Sequence, residues 1–333
     1  MGRPRAAIVG AGLMGGWHAR YAARAGVEIA AIVDTRQDAA AALGRRFPDA
    51  RLFRELPDCL GSCPLDVVHV CTAWDSHAAL TEAALQAGKH VLVEKPAAVA
   101  LAEAQRLADL ARSRKLTLCP VHQLPFQRGF ERLVKALNRL GAIVRVDYAV
   151  SSAGGAGRAD RERHSLLLEI LPHPLSLLRV LPGAAVDPAA WRVLTFTSDE
   201  LELAARCGET QIGIRMSLRA RPTCHELIVT GTQATARVDL FHGYALLEAN
   251  AGSRTGKTLA PFLRGSRLLA AATSNLARRA ALWEPAYPGL RELIRRFYRA
   301  AGAQSAPPVE LDEMLETVAV IERVRASPDN GRR

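Results

Sequence analysis

Ala6-Ala7-Ile8-Val9-Gly10-Ala11-Gly12-Leu13-Met14-Gly15 is the stretch whose reading decides the fold. Four apolar residues, short enough for a buried strand, run into G-x-G-x-x-G. The chain then turns alanine-rich as far as Gly26, which ends the helix as a C-cap glycine would. A glycine pattern alone is weak. Here it follows a strand, opens a helix, and is trailed 19 residues after Gly15 by Asp34, at the end of a second apolar run, Val27 to Val33. The three glycines answer different physical needs. Gly10 permits the tight turn, Gly12 lets the backbone approach a pyrophosphate, and Gly15 lets helix and strand pack closely. Just past Leu13 and Met14, the helix N-terminus brings free N–H groups and its positive dipole end to the phosphates. Asp34 accepts hydrogen bonds from ribose hydroxyls and repels a 2′-phosphate, whereas Arg36 would pair with one. NAD is therefore the expected cofactor, with NADP left open.

Working outward, short β-rich runs alternate with helical stretches, the pattern of a doubly wound parallel sheet. Strands are expected at Ala6–Val9, Val27–Val33, Val67–Cys71, His90–Val93 and Leu116–Cys119. Helices are expected at Gly15–Ala25, Asp38–Arg46, Ser76–Ala87 and Leu101–Arg114. Residues 1–121 thus form a Rossmann dinucleotide-binding domain. Beyond residue 122 the strands alternate polar with apolar: Ile143–Ser151, Trp191–Thr197, Glu200–Cys207, Gln211–Leu218, Glu226–Thr230, Ala234–Leu240 and Tyr244–Ala249. Their short connections suit an open, mainly antiparallel sheet with one covered face. One helix is expected at Leu166–Val180 and two closing ones at Gly289–Ala301 and Leu311–Ala326. The expected fold is α/β, with a second α+β domain for substrate and oligomerisation over 122–326 and a flexible tail at 327–333.

Composition narrows the class. Of 333 residues, 49% are hydrophobic and 23% charged, which suits a globular chain and excludes wholesale disorder. No apolar run approaches the ~20 residues of a membrane-spanning helix, and the basic-then-apolar N-terminus serves as the first strand rather than a signal peptide. The default expectation is a cytoplasmic protein. Six scattered cysteines without C-x-x-C read as reduced, mostly buried thiols, and no metal site is expected. The net charge of +11 is carried by arginine, since only five of 44 basic residues are lysine. It reads as a solvated basic surface or as a bias toward an anionic substrate; no nucleic-acid motif accompanies it.

Two further stretches carry a resemblance. Cys71-Thr72-Ala73-Trp74-Asp75-Ser76-His77 is followed by Ala87-Gly88-Lys89-His90-Val91-Leu92-Val93-Glu94-Lys95-Pro96. Together with the glycine turn and His18, these resemble the Gfo/Idh/MocA oxidoreductases, whose pattern is GxGxxGxxH, a Thr-Pro-type loop ending in His, and AGKHVxxEKP. The resemblance covers nearly all of the Rossmann half, and GKHVLVEKP is its most specific part. It implies hydride transfer between a nicotinamide and a hydroxyl or carbonyl carbon of a sugar, inositol or sugar nucleotide. Thr72, His77, Glu94 and Lys95 then join Gly10, Gly12, Leu13, Met14, Gly15, Asp34 and Arg36 as cofactor-site residues. Lys95 matches the family's lysine; past the end of a parallel strand it can hydrogen-bond the reacting oxygen and help move its proton. The family's second signature, Asp-x-x-x-His-x-x-Asp, falls here on Glu169, His173 and Ser176. An imidazole at His173 is suited to taking the hydroxyl proton, and Glu169, four residues earlier, would share its helical face. Ser176 departs from the pattern and cannot act as a carboxylate. The alternative for His173 is a packed histidine between prolines.

Other candidates carry less. Trp74 would shape the nicotinamide pocket or simply pack, and His122 would line the active cleft. Arg158, Arg161 and Arg163 would grip an anion or sit in a solvated loop. Phe262 to Trp283, rich in Leu, Ala and Arg with no acid before Glu284, reads first as an ordinary packed helix or subunit contact and second as a membrane-surface helix. In the family the second sheet's broad face forms dimer or tetramer contacts, so a homo-oligomer is expected. The reading from a different class is a catalytically silent dinucleotide-binding sensor or scaffold.

Overall fold

The computed structural model describes residues 2–181, 186–249 and 253–327. Residues 328–333 of the expected tail lie outside the described residues. The chain forms two compact units, Met1–His122 with Leu290–Glu322, and Gln123–Gly289 with Arg323–Arg333.

The first unit opens with β1 (Arg5–Val9), α1 (Leu13–Arg24), β2 (Glu28–Val33), α2 (Gln37–Gly44), β3 (Arg51–Phe53) and α3 (Leu56–Ser62). It continues with β4 (Val67–Val70), α4 (His77–Gln86), β5 (His90–Val93), α5 (Leu101–Ser113) and β6 (Leu118–Pro120). The six strands lie in the order β3-β2-β1-β4-β5-β6 and every pairing is parallel. This is the doubly wound Rossmann order, which places a crevice outside the carboxyl ends of β1 and β4, where the order reverses. Its strands read as unbroken apolar runs because both faces are covered: Ala6, Ala7, Ile8, Val68, Val91 and Leu92 are fully buried.

The second unit begins with α6 (Arg128–Lys135), β7 (Ile143–Ser151), α7 (Asp160–Ile170) and α8 (Pro172–Val180). A run of strands follows: β8 (Arg192–Phe196), β9 (Glu200–Cys207), β10 (Thr210–Ser217), β11 (Cys224–Gly231), β12 (Ala234–Asp239) and β13 (Tyr244–Ala249). Their order is β13-β12-β11-β7-β10-β9-β8, and only β7 with β10 is parallel. Burial alternates along β12 and most of β10, so one face is covered and one wet, as the polar alternation predicts.

Four of the expected helices differ from expectation. The single helix expected at Leu166–Val180 starts six residues earlier and is two segments, because Pro172 and Pro174 each remove an amide donor. Leu171 between them keeps helical angles, φ −56° and ψ −32°, so the backbone path continues. The segment expected as a packed helix from Phe262 is α9 (Arg254–Ala281), capped by the Ser253 hydroxyl accepting from the Gly256 N–H at 3.0 Å. None of its residues is buried. The closing helices are α10 (Leu290–Ala303) and α11 (Leu311–Arg325). Expected within the second domain, they turn back: Met314 and Val318 of α11 share one core with Leu107, Ala108 and Ala111 of α5. Among the described residues no helix is long and apolar enough to cross a membrane.

Candidate active site

The glycine turn is built on backbone constraints that a sequence pattern can only imply. Gly10 has φ +93° and donates to Val33 O at 2.8 Å; a Cβ there would stand 2.6 Å from Cys71 O. At Gly15 an added Cβ would lie 1.8 Å from Gly10 O, so the helix can touch the strand only without one. At Gly12 the same atom would meet nothing within 4 Å. That open approach at the start of α1, where the first amides have no intrahelical acceptor, fits the pyrophosphate of a dinucleotide. Leu13 opens the helix and is exposed, with Met14 beside it. A groove of about 580 Å³ runs along the turn, and Arg20 and Arg46 bring positive charge to its lining. These two arginines had no motif to announce them.

Asp34, at the end of β2, is nearly buried. Its Oδ2 accepts the Ala11 N–H at 2.7 Å and its Oδ1 accepts the Arg36 N–H at 2.9 Å. One carboxylate thus fixes the glycine turn and keeps unused lone pairs for ribose hydroxyls. The exposed Arg36 guanidinium stands 3.8 Å from the same carboxylate.

At the ends of β4 and β5, the other matched residues are tied together. The buried His77 ring lies between two carbonyl oxygens, Pro96 O at 2.7 Å from Nδ1 and Thr72 O at 3.0 Å from Nε2. It staples the Thr72 loop to the Lys95–Pro96 turn. The Thr72 hydroxyl is held in turn by the Ser76 hydroxyl at 2.7 Å. Lys95 is half-buried at the end of β5. Glu94 points inward, where Oε2 accepts the Lys95 N–H at 3.3 Å and Oε1 lies 3.2 Å from His18 Nε2.

Behind Glu94 runs a buried polar chain. His18 Nδ1 meets His69 Nδ1 at 2.9 Å, and His69 Nε2 meets the Tyr298 hydroxyl at 2.6 Å. Burial alone would raise the Glu94 carboxyl, but its hydrogen bond and charge interaction with His18, with Lys95 and His77 near, hold it below the ordinary range. Burial, with His18 alongside, pushes His69 well below the ordinary imidazole range, so it is neutral. Glu94, ionised, only accepts, so His18 Nε2–H donates to it. The neutral His69 ring carries one proton, so it donates on one side and accepts on the other, between His18 and the Tyr298 hydroxyl. The chain joins α1, β4, the end of β5 and α10, and holds the strand end that carries Lys95. His18 falls in the glycine-turn pattern. His69 and Tyr298 were missed, although a lone histidine in Val67-Val68-His69-Val70 is itself a sign of a buried, partnered polar group.

In the second unit, His173 sits half-buried on α8 and Glu169 half-buried near the end of α7. The Ser176 hydroxyl, fully buried, donates to His173 O at 2.9 Å and so closes its own helical turn. Beside His173, with ring centroids 6.2 Å apart, stands His225 of β11, a residue no motif marks. Its Nε2 lies 2.7 Å from the Tyr148 hydroxyl of β7. Burial drives His225 down to about 4 and Tyr148 well above the phenol range, so both are neutral. The unfolded chain binds this histidine's proton near pH 6.5 and the folded chain only near 4. Stability is therefore expected to fall as pH drops from 6.5 to 4, by on the order of 3 kcal/mol from this group. Urea unfolding of the wild type and His225→Asn at pH 7.5 and 4.5 checks this; an equal loss in both chains would refute it.

The weaker candidates separate. His122 Nδ1 is held by Glu313 of α11 at 2.6 Å and is buried. Arg163 pairs with Asp160 and with Asp199, at 3.0 Å for the latter, so it braces the start of α7, while Arg158 and Arg161 are exposed. Trp74 is half-buried in the 3-10 turn before α4. Cys59, Cys63, Cys71 and Cys119 are buried thiols, and among the described residues no group of His, Cys, Asp or Glu is arranged to hold a metal ion.

Comparison with known proteins agrees with this geometry. Residues 4–122 match the family model of the GFO_IDH_MocA oxidoreductases, described by its NAD-binding Rossmann fold. D-apiose dehydrogenase of Paraburkholderia graminis is 24% identical over 92% of this chain and 82% of its own. Inositol 2-dehydrogenase of Salmonella typhimurium is 31% identical over 38% of each chain. Like that one, most of the more identical matches span under two fifths of the relative's length. The WlbA dehydrogenase of Bordetella pertussis, solved with NADH and UDP-GlcNAcA, shares the fold over 97% of this chain and 96% of its own, with a TM-score of 0.77 at 18% identity. Glycine turn, pinned aspartate and the Glu94-Lys95-Pro96 strand end all stand on residues 4–122, the Rossmann unit that matches the Gfo/Idh/MocA oxidoreductase family.

Proposed function

We propose that this protein is an NAD-dependent oxidoreductase that moves a hydride between nicotinamide and a hydroxyl-bearing carbon of a sugar, inositol or sugar nucleotide. The observation that carries the proposal is the half-buried Lys95 at the end of β5, held by Glu94 and by the His77 staple at the carboxyl edge of the sheet that bears the glycine turn. In the oxidising direction a bound nicotinamide would supply the acceptor for the hydride leaving the substrate's C–H bond. The hydroxyl loses its proton and becomes a carbonyl. Lys95 would hydrogen-bond that oxygen, His173 would take the proton, and Glu169 would orient the imidazole. Leu13 and Met14 would offer amides to the pyrophosphate, and Asp34 would hold the ribose hydroxyls. Thr72 and His77 would border the nicotinamide. The names of D-apiose and inositol 2-dehydrogenase support a polyol-like substrate, and the net charge of +11 favours an anionic member of that class.

The test is incubation with NAD or NADP and a panel of sugars, inositols and sugar nucleotides, following absorbance of the reduced nicotinamide. Tight cofactor binding without turnover on any of them would favour a sensor instead. Because Asp34 repels a 2′-phosphate, NAD is expected to bind at least about tenfold more tightly than NADP. Asp34→Ser should erase most of that preference in a fluorescence titration. Equal affinities in the wild type would mean that Arg36, not Asp34, sets the choice.

A further inference from the structure

Helix α9 presents an unusual face. It runs 28 residues with none buried, and it packs beside β13. There Arg264 pairs with Glu248 at 2.7 Å, while Asn275 and Arg279 donate to His242 O at 2.8 and 3.1 Å. On another face, about 100° round the helix, Phe262, Leu269, Leu276 and, just past the helix end, Trp283 recur every seventh residue. Their exposures are 76%, 70%, 70% and 69%, the largest among the exposed apolar side chains apart from Leu13 at 69%. Seven residues are nearly two turns, so these side chains form one stripe about 30 Å long. Leu259 and Leu263 widen it.

Charge says what covers the stripe. All six charged residues of α9 are basic: Arg254, Lys257, Arg264, Arg267, Arg278 and Arg279. At 3.6 residues per turn they all fall on the half of the helix nearest β13 or along its borders, and the outward half carries no charge. An apolar face bordered by cations is the form of a helix lying in a bilayer's headgroup region. Trp283 extends the stripe with a side chain suited to that boundary. Pairing of two such stripes would bring the bordering Arg267 and Arg278 of both copies together, with no acid on either helix to relieve them. We infer that α9 docks this protein, apolar stripe inward, on the surface of an anionic phospholipid bilayer. It lies on the surface and does not span: α9 is not apolar enough to cross.

The test is flotation of the full chain with vesicles of phosphatidylcholine alone or mixed two to one with phosphatidylglycerol. The wild type should float with the mixed vesicles and remain behind with phosphatidylcholine. Phe262→Ser/Leu269→Ser/Leu276→Ser should abolish flotation with Tm and NAD affinity unchanged. Arg267→Glu/Arg278→Glu should weaken binding by roughly tenfold or more. The inference is overturned if the wild type ignores the mixed vesicles. It is overturned also if the serine variant floats as well as the wild type, since charge alone is then at work, as for any polyanion. Light scattering that shows the serine variant breaking a wild-type dimer, with no flotation of either, would make the stripe a self-interface.

Discussion

Lys95→Met is expected to lower kcat by about 10²–10⁴, the range that a positioned proton-handling group supplies. The substitution keeps most of the stem's apolar volume and removes the charge and all three donors. The Glu94 and His77 contacts that hold the surrounding turn use the Lys95 backbone N–H and the carbonyls of Pro96 and Thr72, none of which changes. NAD affinity should therefore stay within a few-fold. A loss in kcat matched by an equal loss in kcat/KM would mean that the contact is made only in the transition state. A variant with full kcat on a verified substrate would remove Lys95 from the chemistry, and attention would pass to His173.

The glycine turn supplies a second large effect, and it splits into two. Gly15→Ala places a methyl 1.8 Å from Gly10 O, a backbone atom that cannot step aside. Overpacking of this kind costs about 3 kcal/mol, more than the ~1 kcal/mol that alanine returns in helix propensity. The urea midpoint should fall and NAD binding should fail with it. Gly12→Val meets no protein atom within 4 Å of its Cβ, so the fold should be kept. Its side chain instead occupies the approach of the pyrophosphate, and NAD affinity should drop by about 100-fold or more. Equal behaviour of the two variants in stability and binding would show that the turn is not divided between packing and ligand as described.

How much of this could be read from the chain depends on whether the physical cause is local. The strands of the first sheet are apolar runs ended by turn residues, and the glycines mark their own backbone constraints. β3 escaped because Arg51–Phe53 is three residues long on a sheet edge, with Arg51 and Leu52 exposed and no run to detect. α6 escaped because Arg128–Lys135 is only two turns long. Pro261 hid the first turns of α9, since a proline interior to a pattern reads as a start. The site divides in the same way. Asp34 and Lys95 follow strands at fixed distances from recognisable motifs. Tyr298 lies 229 residues from His69, and His225 lies 77 from Tyr148; nothing near any of these residues names its partner. Ser176 stood out as a missing carboxylate, and only the structure shows its hydroxyl spent on His173 O.

The return of α10 and α11 bears on how the protein is made. When the ribosome has released residues 1–122, β1 to β6 are all present, yet their sheet lacks Met314 and Val318 from its core. His69 still waits for Tyr298, and His122 for Glu313. The nascent half carries every motif of the dinucleotide turn but has unmatched imidazoles and an uncovered apolar seam. Residues 123–289 must emerge, and the chain must close on itself over that distance, before the first domain begun can be completed. Translation order and folding order part ways here, and the nucleotide-binding half matures only once residues 290–322 have been made.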